Sequence, residues 1–133
     1  MASPGLTEVA YANCCALVDP YLMKPVWDSM PILEIARGEV WTRVRRAVYI
    51  VIDAAGEVAY VGSVDRVSQG GLCRRMFEHM SDPDKTHWAR VMILPINPEM
   101  VDVDVLRLEG LVGRRLRPYG NQRLPAGRRV ARR

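Results

Sequence analysis

Residues 47–63, AVYIVIDAAGEVAYVGS, hold two runs of β-branched and aromatic residues on either side of Asp53-Ala54-Ala55-Gly56. Such runs fit a pleated surface, and Gly56 suits the positive φ that a tight connection needs. The stretch predicts a β-hairpin with strands over 47–53 and 57–62. Tyr49 and Tyr60 lie one in each strand, and on these residues alone they are ordinary sheet aromatics.

The hairpin needs neighbours, and the chain supplies them in a regular order. A helical pattern covers about 69–80, a third strand 88–96 (WARVMILPI), and a second helical pattern about 101–116, stopped by Pro118. The order ββαβα predicts an α/β (α+β) fold: a small three-stranded, mainly antiparallel sheet flanked by helices. Ahead of it, residues 5–18 read as a helix that stops at Asp19-Pro20, because proline disfavours helical geometry in the residue before it. Residues 20–30 read as a loop. Ser29 is the expected N-cap of a further helix, with Pro31 in its first turn and Ile32, Ile35, Ala36, Val40 and Val44 at helical spacing.

With 133 residues, 49% of them hydrophobic, the chain can bury one core. It is expected to be a single unit: an N-terminal helical extension (1–46) packed on a central domain (47–122), then a basic tail (123–133). No apolar run reaches about eighteen residues and no signal-peptide pattern opens the chain, so a soluble, cytoplasmic protein without a membrane partner is expected. Cys14, Cys15 and Cys73 are an odd number without C-x-x-C spacing, which points to reduced thiols rather than bridges or a zinc site.

The net charge of +4 conceals an asymmetry. Residues 47–109 carry six Lys/Arg against ten Asp/Glu, whereas residues 110–133 carry eight arginines and no acid. A cationic stripe of this kind favours a polyanion such as nucleic acid. The alternative is a solubilising tail in an arginine-biased chain, since 17 of the 19 basic residues are Arg.

Two polar groups fall where the helical pattern asks for apolar ones. Glu109 lies inside the stripe formed by Val101, Val105, Leu108, Val112 and Leu116. A carboxylate on a packed face has to be paired, bind a cation or sit at the mouth of a site. In GLCRRMFEHM, His79 shares a stripe with Leu72 and Met76, and Arg75 stands one turn away at its edge. His79 could be a satisfied core histidine and Glu109 a salt-bridge partner. Together with Tyr49 and Tyr60, however, these residues could converge on one side of the sheet.

In this arrangement the chain resembles the GIY-YIG nuclease superfamily. AVY (47–49) stands for the GIY element and YVG (60–62) for YIG. RMFEH (75–79) is similar to the family's arginine followed four residues later by His or Tyr. EGLVGRRLRPYGN (109–121) is similar to the segment in which a metal-binding Glu precedes a proline and then an Asn twelve residues on. The sequence departs in three places: AVY replaces GIY, Ser63 stands where some members carry a lysine after YIG, and Gly120 stands where many have an aromatic.

The resemblance implies a divalent-metal-dependent DNA endonuclease. Glu109 would hold one Mg²⁺ or Mn²⁺ ion, which prefers hard oxygen ligands. Arg75 would contact the phosphate, and Tyr49 would be the general base once its phenol, with an ordinary pKa near 10, is lowered by positive charge. His79 could accept the proton instead. Tyr60 would orient the water or phosphate, and Asn121 would brace the site. Arg74, Arg114, Arg115, Arg117, Arg123, Arg128 and Arg129 are the expected nucleic-acid contacts. A non-catalytic nucleic-acid-binding module and an RNA-directed nuclease or toxin are the competing readings. No target-recognition domain is evident, so a targeting partner protein or a homodimer is a further expectation.

One residue of register decides whether the tyrosines cooperate. If Asp53 pairs with Glu57 around a three-residue loop and the ladder continues unbroken, Tyr49 and Tyr60 point to opposite faces. The functional reading requires the shifted register, or a bulge that restores it. It also requires that Tyr49 and Glu109 not point to opposite faces of the sheet.

Overall fold

Every residue from Ala47 to Ile52 is buried. A strand buried on both faces has to be central and covered by two layers, and a near-continuous apolar run is its sequence signature. A computed structural model of the chain describes residues 8–23, 27–38, 44–65, 71–99 and 104–120. In chain order it contains helix α1 (Glu8–Leu17), strand β1 (Trp27–Pro31), helix α2 (Ile32–Arg37), strands β2 (Arg46–Asp53) and β3 (Val58–Asp65), helix α3 (Gly71–Met80), strand β4 (Trp88–Pro95) and helix α4 (Val105–Leu116).

The strands form one antiparallel sheet in the order β1-β4-β2-β3. Helices α2 and α3 cover one face, where Ile32, Ile35, Leu72 and Met76 join Tyr49, Val51, Val91 and Ile93 in one core. Helices α1 and α4 cover the other, where Cys14, Val18, Leu108 and Val112 join Val48, Ile50, Val61 and Leu94. Neighbouring residues of β2 thus enter opposite layers, as a period of two demands. Each fully buried side chain of this kind contributes roughly 1.5–3 kcal/mol.

The sheet has four strands, not the expected three, and the ββαβα run from β2 to α4 is preceded by a further strand and helix. Residues 27–31, read as loop and N-cap, are the edge strand β1. WDSMP has no alternating pattern to announce a strand. Pairing with the otherwise open edge of β4 overrides its weak propensity, and the register breaks between Trp27 and Met30. Ser29 does not cap α2, whose N-cap is Pro31 without a side-chain bond. It accepts instead from Arg90, with Nε 2.5 Å from Ser29 Oγ and Nη2 2.9 Å from Ser29 O. Helix α2 ends at Gly38, so Val44 is not helical; its carbonyl accepts from the Leu72 N–H at 2.8 Å. Val40, the 5–7 and 101–103 ends of the expected helices, and residues 69–70 lie outside the described residues.

The hairpin closes as a three-residue loop with a correction built in. Asp53 N donates to Glu57 O at 2.9 Å, Asp53 Oδ1 accepts from the N–H groups of Ala55 and Glu57, each at 2.9 Å, and Gly56 takes φ 90°. Ile52 faces Val58, yet Val51 faces Tyr60, so Ala59 is an extra residue, a β-bulge. Beyond it Tyr49 faces Gly62, and Tyr60 is its diagonal neighbour on the same face. The bulged backbone is not left open: Tyr119 N donates to Val58 O at 3.3 Å and Gly120 N to Ala59 O at 2.7 Å.

No helix among the described residues is long and apolar enough to cross a membrane. No disulfide joins Cys14, Cys15 and Cys73.

Candidate active site

Tyr49 is fully buried, and its side chain leans across its partner strand toward the β3 edge. A Cβ built on Gly62 would lie 2.5 Å from Tyr49 Oη and 2.7 Å from Tyr60 Cε2. The glycine of YVG is therefore the floor on which the two tyrosines meet. Their ring centroids are 6.3 Å apart.

Helix α3 brings the next two groups to the same hydroxyl. Its apolar stripe packs Leu72 and Met76 on the sheet, which turns Arg75 and His79 toward β2. Arg75 Nε donates to Tyr49 Oη at 3.2 Å, and His79 Nε2 lies 2.7 Å from the same oxygen. Arg75 Nη1 also meets Glu78 at 3.5 Å. Burial dominates the ionisation of both partners. It pushes the Tyr49 phenol well above its ordinary value, with Tyr60 reinforcing and Arg75 opposing. It pushes His79 down to about 3, helped by the cations Lys85 and Arg75.

Two residues that the sequence pattern did not single out complete this pocket. Trp88 packs against Tyr60 and His79 with ring centroids 5.0 and 4.8 Å away. Lys85 places Nζ 2.8 Å from His79 Nδ1. Trp88 opens strand β4 beside apolar neighbours and carries no polar signal of its own. Lys85 sits in a 3₁₀ turn, where a lone lysine reads as solvated surface.

Glu109 arrives from the other layer. It is buried on α4 as the helical stripe predicts, only 6% exposed. It accepts from Ser63 Oγ at 2.5 Å through Oε1, and no ion pair involves it among the described residues. Ser63 faces Val48 across the strands, so both belong to the α4 side of the sheet. The expectation that all five polar residues share one side is thus corrected: Tyr49, Tyr60, Arg75 and His79 lie on the α3 side, Glu109 on the α4 side. The reason is that α3 and α4 pack on opposite faces of a sheet whose edge strand lies between them. Tyr49 and Glu109 therefore point to opposite faces, so the requirement that they share one is not met, and the charges of the two layers act on one another only around the β3 edge at Gly62 and Ser63. Glu109 raises the phenols of Tyr49 and Tyr60, and Arg75 acts to lower the Glu109 carboxyl, which burial holds above its ordinary value despite the Ser63 bond.

The C-terminal segment runs back to the same edge. Helix α4 ends at Arg117 in the left-handed region, φ 53°, with its N–H on Gly113 O at 2.7 Å. Gly120 then lies so close to β3 that a Cβ would clash with the Ala59 carbonyl oxygen. Asn121, Arg123, Arg128 and Arg129 lie outside the described residues. Arg74, Arg114, Arg115 and Arg117 are exposed, with Arg74 3.5 Å from Glu78.

The donor set bears on the metal. No group of three or more His, Cys, Asp or Glu side chains among the described residues could hold a metal ion. Glu109 Oε2 has no hydrogen-bond partner among them, and a buried hard oxygen without a partner fits a cation that keeps most of its own waters. No protein-family model, curated protein or solved structure matches this chain.

Proposed function

We propose that the chain is a divalent-metal-dependent endonuclease of the GIY-YIG type that hydrolyses DNA phosphodiester bonds. The observation that carries this reading is the Tyr49 hydroxyl: a buried phenol at the sheet edge with Arg75 Nε and His79 Nε2 both on its oxygen. Two nitrogen groups converging on a phenol oxygen are costly to bury, and they are well suited to an oxygen that becomes negative during a reaction.

Hydrolysis needs an activated water and neutralisation of the charge that grows on the phosphoryl oxygens. The Tyr49 phenol first gives up its proton to solvent, and the phenolate, facing Arg75 and His79, then takes the proton of the attacking water; His79 is the alternative base of this reading. Arg75 uses the guanidinium donors not committed to Tyr49 to hold the phosphate. Tyr60 orients water or phosphate, Asn121 braces the site, and the exposed arginines at the end of α4 bind flanking phosphates. Glu109 would hold a Mg²⁺ or Mn²⁺ ion, which would supply further positive charge to the phosphate; because Glu109 belongs to the α4 layer and Arg75 to the α3 layer, the phosphate would be bound across the β3 edge at Gly62 and Ser63. A single metal-binding carboxylate argues against two-metal chemistry.

The runner-up is a nucleic-acid-binding module without catalysis, favoured by the burial that keeps Tyr49 protonated. An RNA-directed nuclease or toxin is the third reading, since phosphate contacts do not identify the sugar. The test is cleavage of single-stranded, duplex and branched DNA and of RNA with Mg²⁺ or Mn²⁺, comparing wild type with Glu109→Ala. Metal-dependent cutting lost in the variant supports the proposal. Tight, salt-sensitive binding without cutting of any substrate supports the module.

A further inference from the structure

A lysine ammonium has three donors and no acceptor. Lys85 Nζ lies 2.8 Å from His79 Nδ1, and its position is fixed from several sides. Asp82 Oδ2 is 3.5 Å away, and the Trp88 and Tyr60 rings lie under it at 5.0 and 5.8 Å. Asp82 is itself held, because its side chain caps the turn Pro83–Lys85 by accepting from Asp84 N at 2.9 Å. The chain reaches this place because α3 ends at Met80, one residue beyond His79: Asp82 N donates back to His79 O at 3.0 Å.

The hydrogen-bond inventory then leaves one arrangement. Nδ1 facing an ammonium has to accept, and in a neutral imidazole the other nitrogen carries the proton. Nε2, 2.7 Å from Tyr49 Oη, is therefore a donor. Tyr49 Oη accepts from both His79 and Arg75, and its own proton is directed away from both.

We propose that Lys85 is a positioning residue of the site: by donating to Nδ1 it locks His79 in the Nε2–H tautomer, making His79 a donor to the Tyr49 oxygen, which becomes the base once the phenol has lost its own proton to solvent. The catalytic consequence rests on the nuclease reading above; the tautomer does not. The groups facing His79 are consistent with a neutral ring. Tyr49, Tyr60 and Trp88 come from β2, β3 and β4. Arg75 and Lys85 oppose a second proton, while Glu78 and Asp82 favour it less strongly than burial disfavours it.

The test is the ¹⁵N NMR spectrum of the His79 imidazole in the full chain, followed from pH 8 to pH 4. Wild type is expected to show protonated Nε2 and bare Nδ1 throughout the neutral range. Lys85→Met is expected to populate the Nδ1–H tautomer and to move the midpoint of His79 up toward 6.5. Lys85→Arg, which keeps a donor-only cation, is expected to preserve the wild-type tautomer. Nδ1–H in wild type, or an unchanged tautomer in folded Lys85→Met, would overturn the assignment. Should Lys85→Met fail to fold, wild type and Lys85→Arg decide: Nε2–H in both supports it and Nδ1–H in either defeats it. The measurement needs no substrate. Nε2–H in a protein that cuts nothing would therefore sink the nuclease reading and leave the role of Lys85 in setting the tautomer standing.

Discussion

Tyr49 and Gly62 are cross-strand partners, and the Tyr49 hydroxyl occupies the space that a Cβ on Gly62 would need, 2.5 Å away. Gly62→Ala is accordingly an overpacking change at the centre of the site. It is expected to destabilise the protein by about 1–3 kcal/mol, read by urea unfolding, and to abolish activity by displacing Tyr49 and Tyr60 together. Wild-type stability and activity in the alanine variant would remove the steric basis of the site.

Arg117 adopts the left-handed conformation at the end of α4, φ 53°, a region that costs an L-residue with a Cβ about 1 kcal/mol. Arg117→Gly is expected to raise stability by about that amount, or roughly 4 °C in Tm for a domain of this size. A lower Tm in a thermal melt would show that the arginine side chain contributes more than the strain removes.

The histidine gives a signed pH dependence. His79 falls from 6.5 to about 3 in the folded protein, so between those values the unfolded chain binds the extra proton and folding weakens. The contribution is complete above pH 6.5 and is lost progressively as pH drops toward 3. Urea unfolding between pH 7 and pH 4 is expected to show wild type losing stability faster than His79→Gln. Parallel curves would mean that the imidazole is not buried neutral.

Much of this fold is legible in the chain. The hairpin, α3, β4 and α4 follow from β-branched runs, helical stripes and Pro118, and Glu109 is buried where its stripe places it. Strand β1 was not, because WDSMP has no strand pattern and is paired through a neighbouring edge rather than its own propensity. The bulge at Ala59 is invisible in VAYVG, since an extra residue leaves the composition unchanged and only the pairing records it. Lys85 and Trp88 gain meaning from the reversal after Met80. The division of Tyr49 and Glu109 between two layers is a property of helix packing that linear spacing does not encode.

Arg114 and Arg115 stand in the last turn of α4, about 7.5 and 9 Å along its axis beyond Glu109 at 1.5 Å per residue, and both are exposed. If they hold flanking phosphates, the double change to Gln lowers the slope of log affinity against log salt by about 2 for duplex DNA. A fluorescence titration at several salt concentrations reads this directly. An unchanged slope would remove the end of α4 from the nucleic-acid interface.

The central claim is that the Tyr49 hydroxyl does chemistry, and Tyr49→Phe removes that oxygen alone. Single-turnover cleavage of a labelled DNA with Mn²⁺ is the most direct measurement, made where circular dichroism shows the variant folded and a titration shows that it still binds DNA. The account predicts a rate lower by about 10²–10⁴, the range for loss of a general base. Cleavage at the wild-type rate by the folded phenylalanine variant would contradict it.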